Sequence, residues 1–255
     1  ELVKKYEGYG ENIAFKYKKD GKIEEITYNQ YVQDIKKVAE KVISSDVKRV
    51  AVIGNNRYEW CITYLGVTTA GRIIVPLDKA LTDKEIEKLL KRSEADAIVY
   101  EEKYQTAVDQ AIDQGCNIKY KICMDNVEKD GVLKFENMLK DGENIIKEGK
   151  AKYDEVKLKE NEMSIMLFTS GTTNEPKAVM LSQENICKNV SNYQYNFMIY
   201  ETDTLLSFLP IHHTFECSIT FLYGTFCGAT IAFCEGLRYI ANNLEEFKVS
   251  VFVAV

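Results

Sequence analysis

The sequence predicts an α/β fold with mostly parallel sheets flanked by helices, and two patterns carry the prediction. Short apolar runs alternate along most of the chain with amphipathic stretches of helical period. The runs are continuously apolar, as in RVAVIG (49–54) and RIIVPL (72–77), not polar on every second residue. Strands of that kind are covered on both faces, and helices packed on both sides of a parallel sheet provide the cover.

The N-terminal part departs from this rule. NIAFKYK and KIEEITY are strand-like, and Asp20-Gly21 between them signals a hairpin turn. A helix follows over about 28–44, with Tyr31, Ile35, Val38 and Val42 on one face. After the strand at 49–54 the spacing predicts a helix over 58–70, with Gly71 suited to the left-handed position that ends it. The strand at 72–77 leads to a helix over 82–93, opened by the capping box Thr82 and Glu85. AIVY (97–100), a helix near 103–114, Gly115 and KYKICM (119–124) extend the alternation. Residues 125–160 are more charged and less regular, and read as a surface helix and a connection.

Beyond 160 the alternation resumes. MSIMLF (163–168) and AVML (178–181) read as strands, and 182–198 as a helix. LLSFLP (205–210) reads as a strand stopped by proline, followed by a helix near 214–226 and the strand ATIAF (229–233). A helix near 237–246 and VSVFVAV (249–255), which has the look of a fully buried strand, close the pattern. The expected division is a first α/β subdomain over 1–160 and a second over 161–255, incomplete at its C-terminal end.

Composition narrows the class. With 33 basic against 39 acidic residues, a net charge of −6 and no long basic run, a nucleic-acid surface is disfavoured. Seven cysteines, an odd number without a CxxC pair, read as reduced, mostly buried thiols of a cytoplasmic protein. The N-terminus lacks both the apolar core of a signal peptide and an initiator Met, so a trimmed chain is expected. Phe221 to Cys234 is the most apolar stretch; it is shorter than the ~20 residues of a membrane span and carries glycines, so a buried helix and strand are expected.

Between the strands at 163–168 and 178–181 stands Thr169-Ser170-Gly171-Thr172-Thr173-Asn174-Glu175-Pro176-Lys177. Hydroxyls donate hydrogen bonds to phosphate oxygens, and a glycine lets backbone N–H groups approach an anion. Lys177 adds a positive charge that neutralises phosphate or anchors the loop, and Pro176 stiffens the exit. A flexible Ser/Thr/Gly turn would account for a fragment such as Ser-Gly-Thr, but not for the whole string. The string is not a Walker A loop, because GxxxxGK[ST] is absent and a strand, not a helix, follows.

This string resembles the phosphate-binding signature of the adenylate-forming superfamily, which includes acyl-CoA synthetases, peptide-synthetase adenylation domains and luciferases. The match holds at Thr169, Ser170, Gly171, Thr172, Thr173, Pro176 and Lys177, while Asn174 and Ala178 stand where the family pattern has glycine. AVMLSQENI (178–186) looks like the family's continuation, with Gln183 in place of its usual His. Leu209-Pro210-Ile211-His212-His213-Thr214-Phe215-Glu216 resembles a second motif, LPLxHxFE, and VAVIGNNRYEWCITYLGVTTAGRIIVPLD (50–78) the family's early segment.

The resemblance implies the N-terminal domain of the adenylate-forming fold, truncated. It implies an AMP-forming acyl-CoA synthetase, in which a carboxylate attacks the α-phosphate of Mg2+-ATP and coenzyme A then takes the acyl group. In that reading Thr169, Ser170, Gly171, Thr172 and Thr173 hold the ATP phosphates, with Lys177 in support. His213 and Phe215 border the acyl group and the adenylate, and His213 and Lys177 are the candidate catalytic residues. The HxFE form points to a long-chain fatty acid, a substrate compatible with peripheral membrane association. The family's adenine, ribose and lid motifs do not occur in these residues, so this piece alone is expected not to complete the reaction. Two alternatives stay open: another adenylating ligase, acting on an acyl carrier or an amino acid, and a non-catalytic nucleotide- or lipid-binding module.

The remaining candidates have plainer readings. Adjacent histidines point in different directions, so His212-His213 is a poor metal pair. Glu216 reads as a first-turn carboxylate that complements a helix dipole. Trp60 reads as core, Arg57 and Glu59 as a solvated helix face, and NYQYNFMIY (192–200) as a packing face or the wall of an acyl tunnel.

Overall fold

The computed structural model describes residues 2–169 and 175–254. The strands are β1 (Ile13–Lys19), β2 (Lys22–Thr27), β3 (Arg49–Ile53), β4 (Ile73–Pro76), β5 (Ala97–Tyr100), β6 (Tyr120–Cys123), β7 (Val132–Lys134), β8 (Met163–Thr169), β9 (Lys177–Ser182), β10 (Thr204–Ser207) and β11 (Thr230–Phe233). The α-helices are α1 (Leu2–Glu7), α2 (Tyr28–Ser44), α3 (Tyr58–Thr69), α4 (Asp83–Ser93), α5 (Gln105–Asp113), α6 (Phe135–Lys147), α7 (Gln183–Tyr193), α8 (Gly224–Phe226) and α9 (Ile240–Glu246).

These elements form two compact units interleaved along the chain, in place of a boundary near 160. One unit runs through Gln33, takes in Asn56–Tyr58 and resumes at Ile186; the other holds Asp34–Asn55 and Glu59–Asn185. The cause is a long-range pairing: β1, near the start of the chain, lies parallel to β11, more than 200 residues later.

The larger unit is built on a seven-stranded sheet of order β7-β6-β5-β3-β4-β8-β9. Every neighbouring pair is parallel except β8 and β9. Side chains alternate across the pleat. Ala51, Ile53, Ile98 and Tyr100 pack in one core with Ile86, Leu89 and Leu90 of α4 and Ala107, Val108 and Ala111 of α5. Val50, Val99 and Ile122 line a cavity on the other face with Val38 and Val42 of α2, Val67 of α3 and Met138 of α6. Burial of both faces is what the continuous apolar runs require. Two glycines let the helices on this side approach closely. A Cβ on Gly142 of α6 would lie 2.0 Å from the Lys37 carbonyl oxygen, and one on Gly66 of α3 would lie 2.5 Å from Val38. At the start of α4, Glu85 accepts both the N–H and the hydroxyl of Thr82 at 2.8 Å, as the capping box requires.

The smaller unit carries a four-stranded sheet of order β10-β11-β1-β2. The β1–β2 hairpin turns through Asp20 and Gly21, both with positive φ, as a two-residue turn of this hand demands. Phe15 is fully buried; it stacks on Phe233 at 5.5 Å and meets Tyr31 edge-on at 4.8 Å.

Four features differ from the expectation. The segment α1 and the three-residue strand β7 carry too few apolar residues to be read from pattern. The helix over 182–198 stops at Tyr193, where Tyr195 and Asn196 bond back three residues and the poor helix formers Asn, Tyr and Phe follow. The helix near 214–226 is a π-helix over Glu216–Tyr223 that runs into α8; apolar period alone does not separate i→i+5 from i→i+4 bonding. Over its described residues, 249–254, VSVFVAV is not a buried strand: it makes one parallel bridge, Val251 to Leu205, and Phe252 is 43% exposed. Among the described residues Val251 is bridged to β10 alone.

Candidate functional site

The phosphate-type string sits on the larger unit. β8 and β9 run antiparallel, and Thr169 opposite Lys177 is the last pair of their ladder. Both residues are exposed. The seven residues 170–176 are too few for a parallel crossover, so the chain returns as a hairpin, which is why this one strand breaks the parallel rule. Ser170, Gly171, Thr172 and Thr173, along with Asn174, lie outside the described residues. A threonine hydroxyl and a lysine ammonium thus flank the mouth of the loop, a donor set suited to an anion.

Both ends of this hairpin are fastened. At the loop exit Glu175 accepts from Lys88 Nζ at 2.7 Å and Arg92 at 3.3 Å, both on α4, and Lys88 holds its carboxyl below the usual range. Where β9 ends, the Ser182 N–H and hydroxyl donate to Asn185 Oδ1, and the Asn185 N–H donates back to Ser182 Oγ at 3.2 Å. Gln183, at the family's usual His position, donates to the Thr68 carbonyl at 2.8 Å and ties the start of α7 to α3.

The crevice at the carboxyl ends of β3 and β5, where the strand order reverses, is the usual ligand position in such sheets. Here Glu101, only 7% exposed, fills it, accepting from the Asn55 N–H at 3.0 Å and its side-chain amide at 3.1 Å.

The histidine motif belongs to the smaller unit, between β10 and the π-helix. The His213 N–H donates to the Pro210 carbonyl at 3.0 Å, and the His213 carbonyl accepts from the Cys217 N–H at 3.0 Å. Nδ1 of the exposed His213 ring accepts from the Phe215 N–H at 3.2 Å. An imidazole whose Nδ1 accepts carries its proton on Nε2, so the outward nitrogen is a donor. Phe215 is half-buried. Among the described residues no group of three His, Cys, Asp or Glu that could hold a metal occurs, and no helix is long and apolar enough to cross a membrane.

Glu216 is not the solvated first-turn carboxylate the sequence suggests. It is fully buried, accepting from Ser207 Oγ at 2.6 Å and from Thr220 Oγ1 at 2.9 Å. Burial pushes its carboxyl up to about 7, and the two hydroxyl donors oppose the rise without cancelling it. Asn56, to which sequence reasoning assigned nothing, donates to Ser207 Oγ at 2.9 Å and to the Leu209 carbonyl at 2.7 Å. Its Oδ1 accepts from the Ile211 N–H at 3.2 Å. Its place just after a strand in GNN was the available signal. Trp60 is core, stacked on Tyr64 at 5.5 Å, whereas Arg57 and Glu59 are half-buried. Tyr195, Met198 and Tyr200 are exposed, while Tyr193 packs on Tyr223 at 5.6 Å. Among the described residues no cysteine forms a disulfide.

Comparison with known proteins extends these resemblances over the whole chain. The chain is 29% identical over 226 residues to long-chain-fatty-acid–CoA ligase 5 of Mus musculus, covering 83% of this chain and 33% of the relative. It is 28% identical to fatty acyl-CoA synthetase B of Dictyostelium discoideum, covering all of this chain and 40% of the relative. The chain therefore spans well under half the length of these relatives. ATP-bound MatB from Rhodopseudomonas palustris shares the fold with a TM-score of 0.78 at 18% identity, over 98% of this chain and 48% of that one. The model of the AMP-binding enzyme family matches residues 2–255, and the chain belongs to that family.

Proposed function

We propose that this chain is the N-terminal part of an AMP-forming acyl-CoA synthetase acting on a fatty acid. The observation that carries the proposal is the β8–β9 ladder, whose last pair, Thr169 and Lys177, brackets the hydroxyl-rich string of the sequence, in a chain matched over residues 2–255 by the AMP-binding enzyme family. The names of its relatives, fatty-acyl ligases of mouse and Dictyostelium, supply the substrate class.

The carboxylate attacks the α-phosphate of Mg2+-ATP, forming the acyl-adenylate as pyrophosphate leaves, and the thiol then takes the acyl group as AMP leaves. The chain's own residues position and neutralise. Thr169, Ser170, Gly171, Thr172 and Thr173 hold the β- and γ-phosphates through hydroxyl and backbone donors, and Lys177 offsets their charge. His213 offers its Nε2–H to an oxygen of the acyl group or the adenylate, and Phe215 supplies apolar wall beside it. Rate acceleration in this step is mainly positioning plus charge stabilisation. Coenzyme A is the thiol acceptor. A cytoplasmic location, with peripheral contact to the membrane that holds fatty substrate, is part of the same reading.

The test is ATP–pyrophosphate exchange by the full-length protein with fatty, aryl and amino acids, alongside calorimetric ATP binding to wild type and Lys177→Ala. Exchange driven by long-chain fatty acids, with ATP affinity reduced about tenfold or more in the variant, is expected. Exchange driven only by amino acids would transfer the protein to another adenylating class. Absence of ATP binding by the wild type would leave the non-catalytic module.

A further inference from the structure

The segment 208–215 joins β10 to the π-helix, and its residues 208–213 belong to no strand or helix that would fix them. Three bonds from a single side chain do so. Asn56 Nδ2 donates to Ser207 Oγ at 2.9 Å and to the Leu209 carbonyl at 2.7 Å, and Oδ1 accepts from the Ile211 N–H at 3.2 Å. A carboxamide is the small group that presents two donors and an acceptor in one plane. Asp lacks the donors, and Ser lacks the reach. Asn56 belongs to the same compact unit as the segment it holds.

The far end of the segment is tied to the same point. Ser207 accepts from Asn56, so its one hydroxyl proton is committed to Glu216 Oε1, at 2.6 Å; Glu216 Oε2 in turn accepts from Thr220 at 2.9 Å. The two ends of the segment, Ser207 and Glu216, are therefore bonded to each other and to Asn56. Inside this frame Pro210 accepts from the His213 N–H, and Phe215 donates to Nδ1, which sets the direction of the ring.

We propose that Asn56 is a positioning residue for His213, fixing the strand-to-helix segment so that the imidazole Nε2–H meets its ligand in one orientation. The inference rests on the fatty-acid-activating reading of this chain. Asn56 acts through the Leu209 and Ile211 backbone and not on the substrate, so its loss acts only where His213 is present to be misplaced.

A double-mutant cycle in the full-length protein tests this. Wild type, Asn56→Ala, His213→Ala and the double variant are compared in ATP–pyrophosphate exchange with hexadecanoate. Asn56→Ala is expected to lower kcat/KM for the fatty acid by about 10- to 100-fold in exchange, with KM for coenzyme A, read separately in thioester formation, unchanged. The double variant is expected to be no slower than His213→Ala. Losses that multiply overturn the inference and leave the function reading standing. Wild-type rates in His213→Ala overturn the role of His213 and that of Asn56 with it, and no exchange by the wild type overturns the function reading itself. Asn56→Asp keeps the acceptor for the Ile211 N–H and serves if the alanine variant melts early; it carries the same expectation of non-multiplying losses, and multiplying losses there also overturn the inference.

Discussion

Replacing Glu216 by Gln should make the protein more stable at neutral and alkaline pH and change little in acid. The carboxyl is fully buried, and two hydroxyls are its hydrogen-bond donors. In the unfolded chain it releases its proton near 4.5, and in the folded chain burial delays release to about 7. Between those values the folded state binds more protons than the unfolded one, so stability is fully present below about 4.5 and falls as pH rises through about 7. The gap corresponds to about 3 kcal/mol. An amide of the same shape removes the ionisation while its oxygen still accepts from Ser207 and its N–H2 still faces Thr220. Urea denaturation of wild type and Glu216→Gln, followed by circular dichroism from pH 4.5 to 8, measures the effect. Titrations common to both proteins cancel in the difference, which should grow by about 3 kcal/mol in favour of the glutamine variant. A difference that stays constant across this range would refute the argument, because it would mean that desolvation does not govern this carboxyl.

Three further outcomes follow from packing and backbone geometry. Gly142→Ala drives a methyl into the Lys37 carbonyl at 2.0 Å, and forcing α6 away from α2 should cost about 1–3 kcal/mol in thermal unfolding; an unchanged midpoint would contradict the close approach. Glu40, 2% exposed, accepts from the Lys152 N–H at 2.8 Å and the Tyr153 N–H at 2.7 Å; Glu40→Ala strands both donors and should lose about 2–3 kcal/mol, measured by denaturant midpoint. Gly21→Ala puts a Cβ at φ +75° in the β1–β2 turn and should cost about 1 kcal/mol, whereas alanine at the neighbouring Lys22 should leave the midpoint unchanged.

The sequence by itself determined the alternation of strands and helices, the parallel character of the larger sheet, the first hairpin, the capping box at Thr82 and the nine-residue string that led to the family. Each rests on neighbours in the chain: a run buried on both faces, Asp-Gly between strands, Glu three residues after Thr, hydroxyls in a row before Pro-Lys. What only the tertiary structure decided depends on residues far apart. The pairing of β1 with β11 interleaves the two units and defeats a single boundary near 160. Glu216 looks like a surface carboxylate in sequence, and becomes buried because Ser207 and Thr220 close over it from β10 and the π-helix. Asn56 has no chemistry of its own to signal, and it acquires a role through bonds to Leu209 and Ile211, more than 150 residues away. VSVFVAV carries the pattern of a buried strand, but burial also needs a neighbour on each side, and among the described residues Val251 is bridged to β10 alone, through Leu205. Pattern and turn chemistry act over a few residues and can be read from the chain alone; partners for backbone and buried polar groups are assigned only when distant segments meet.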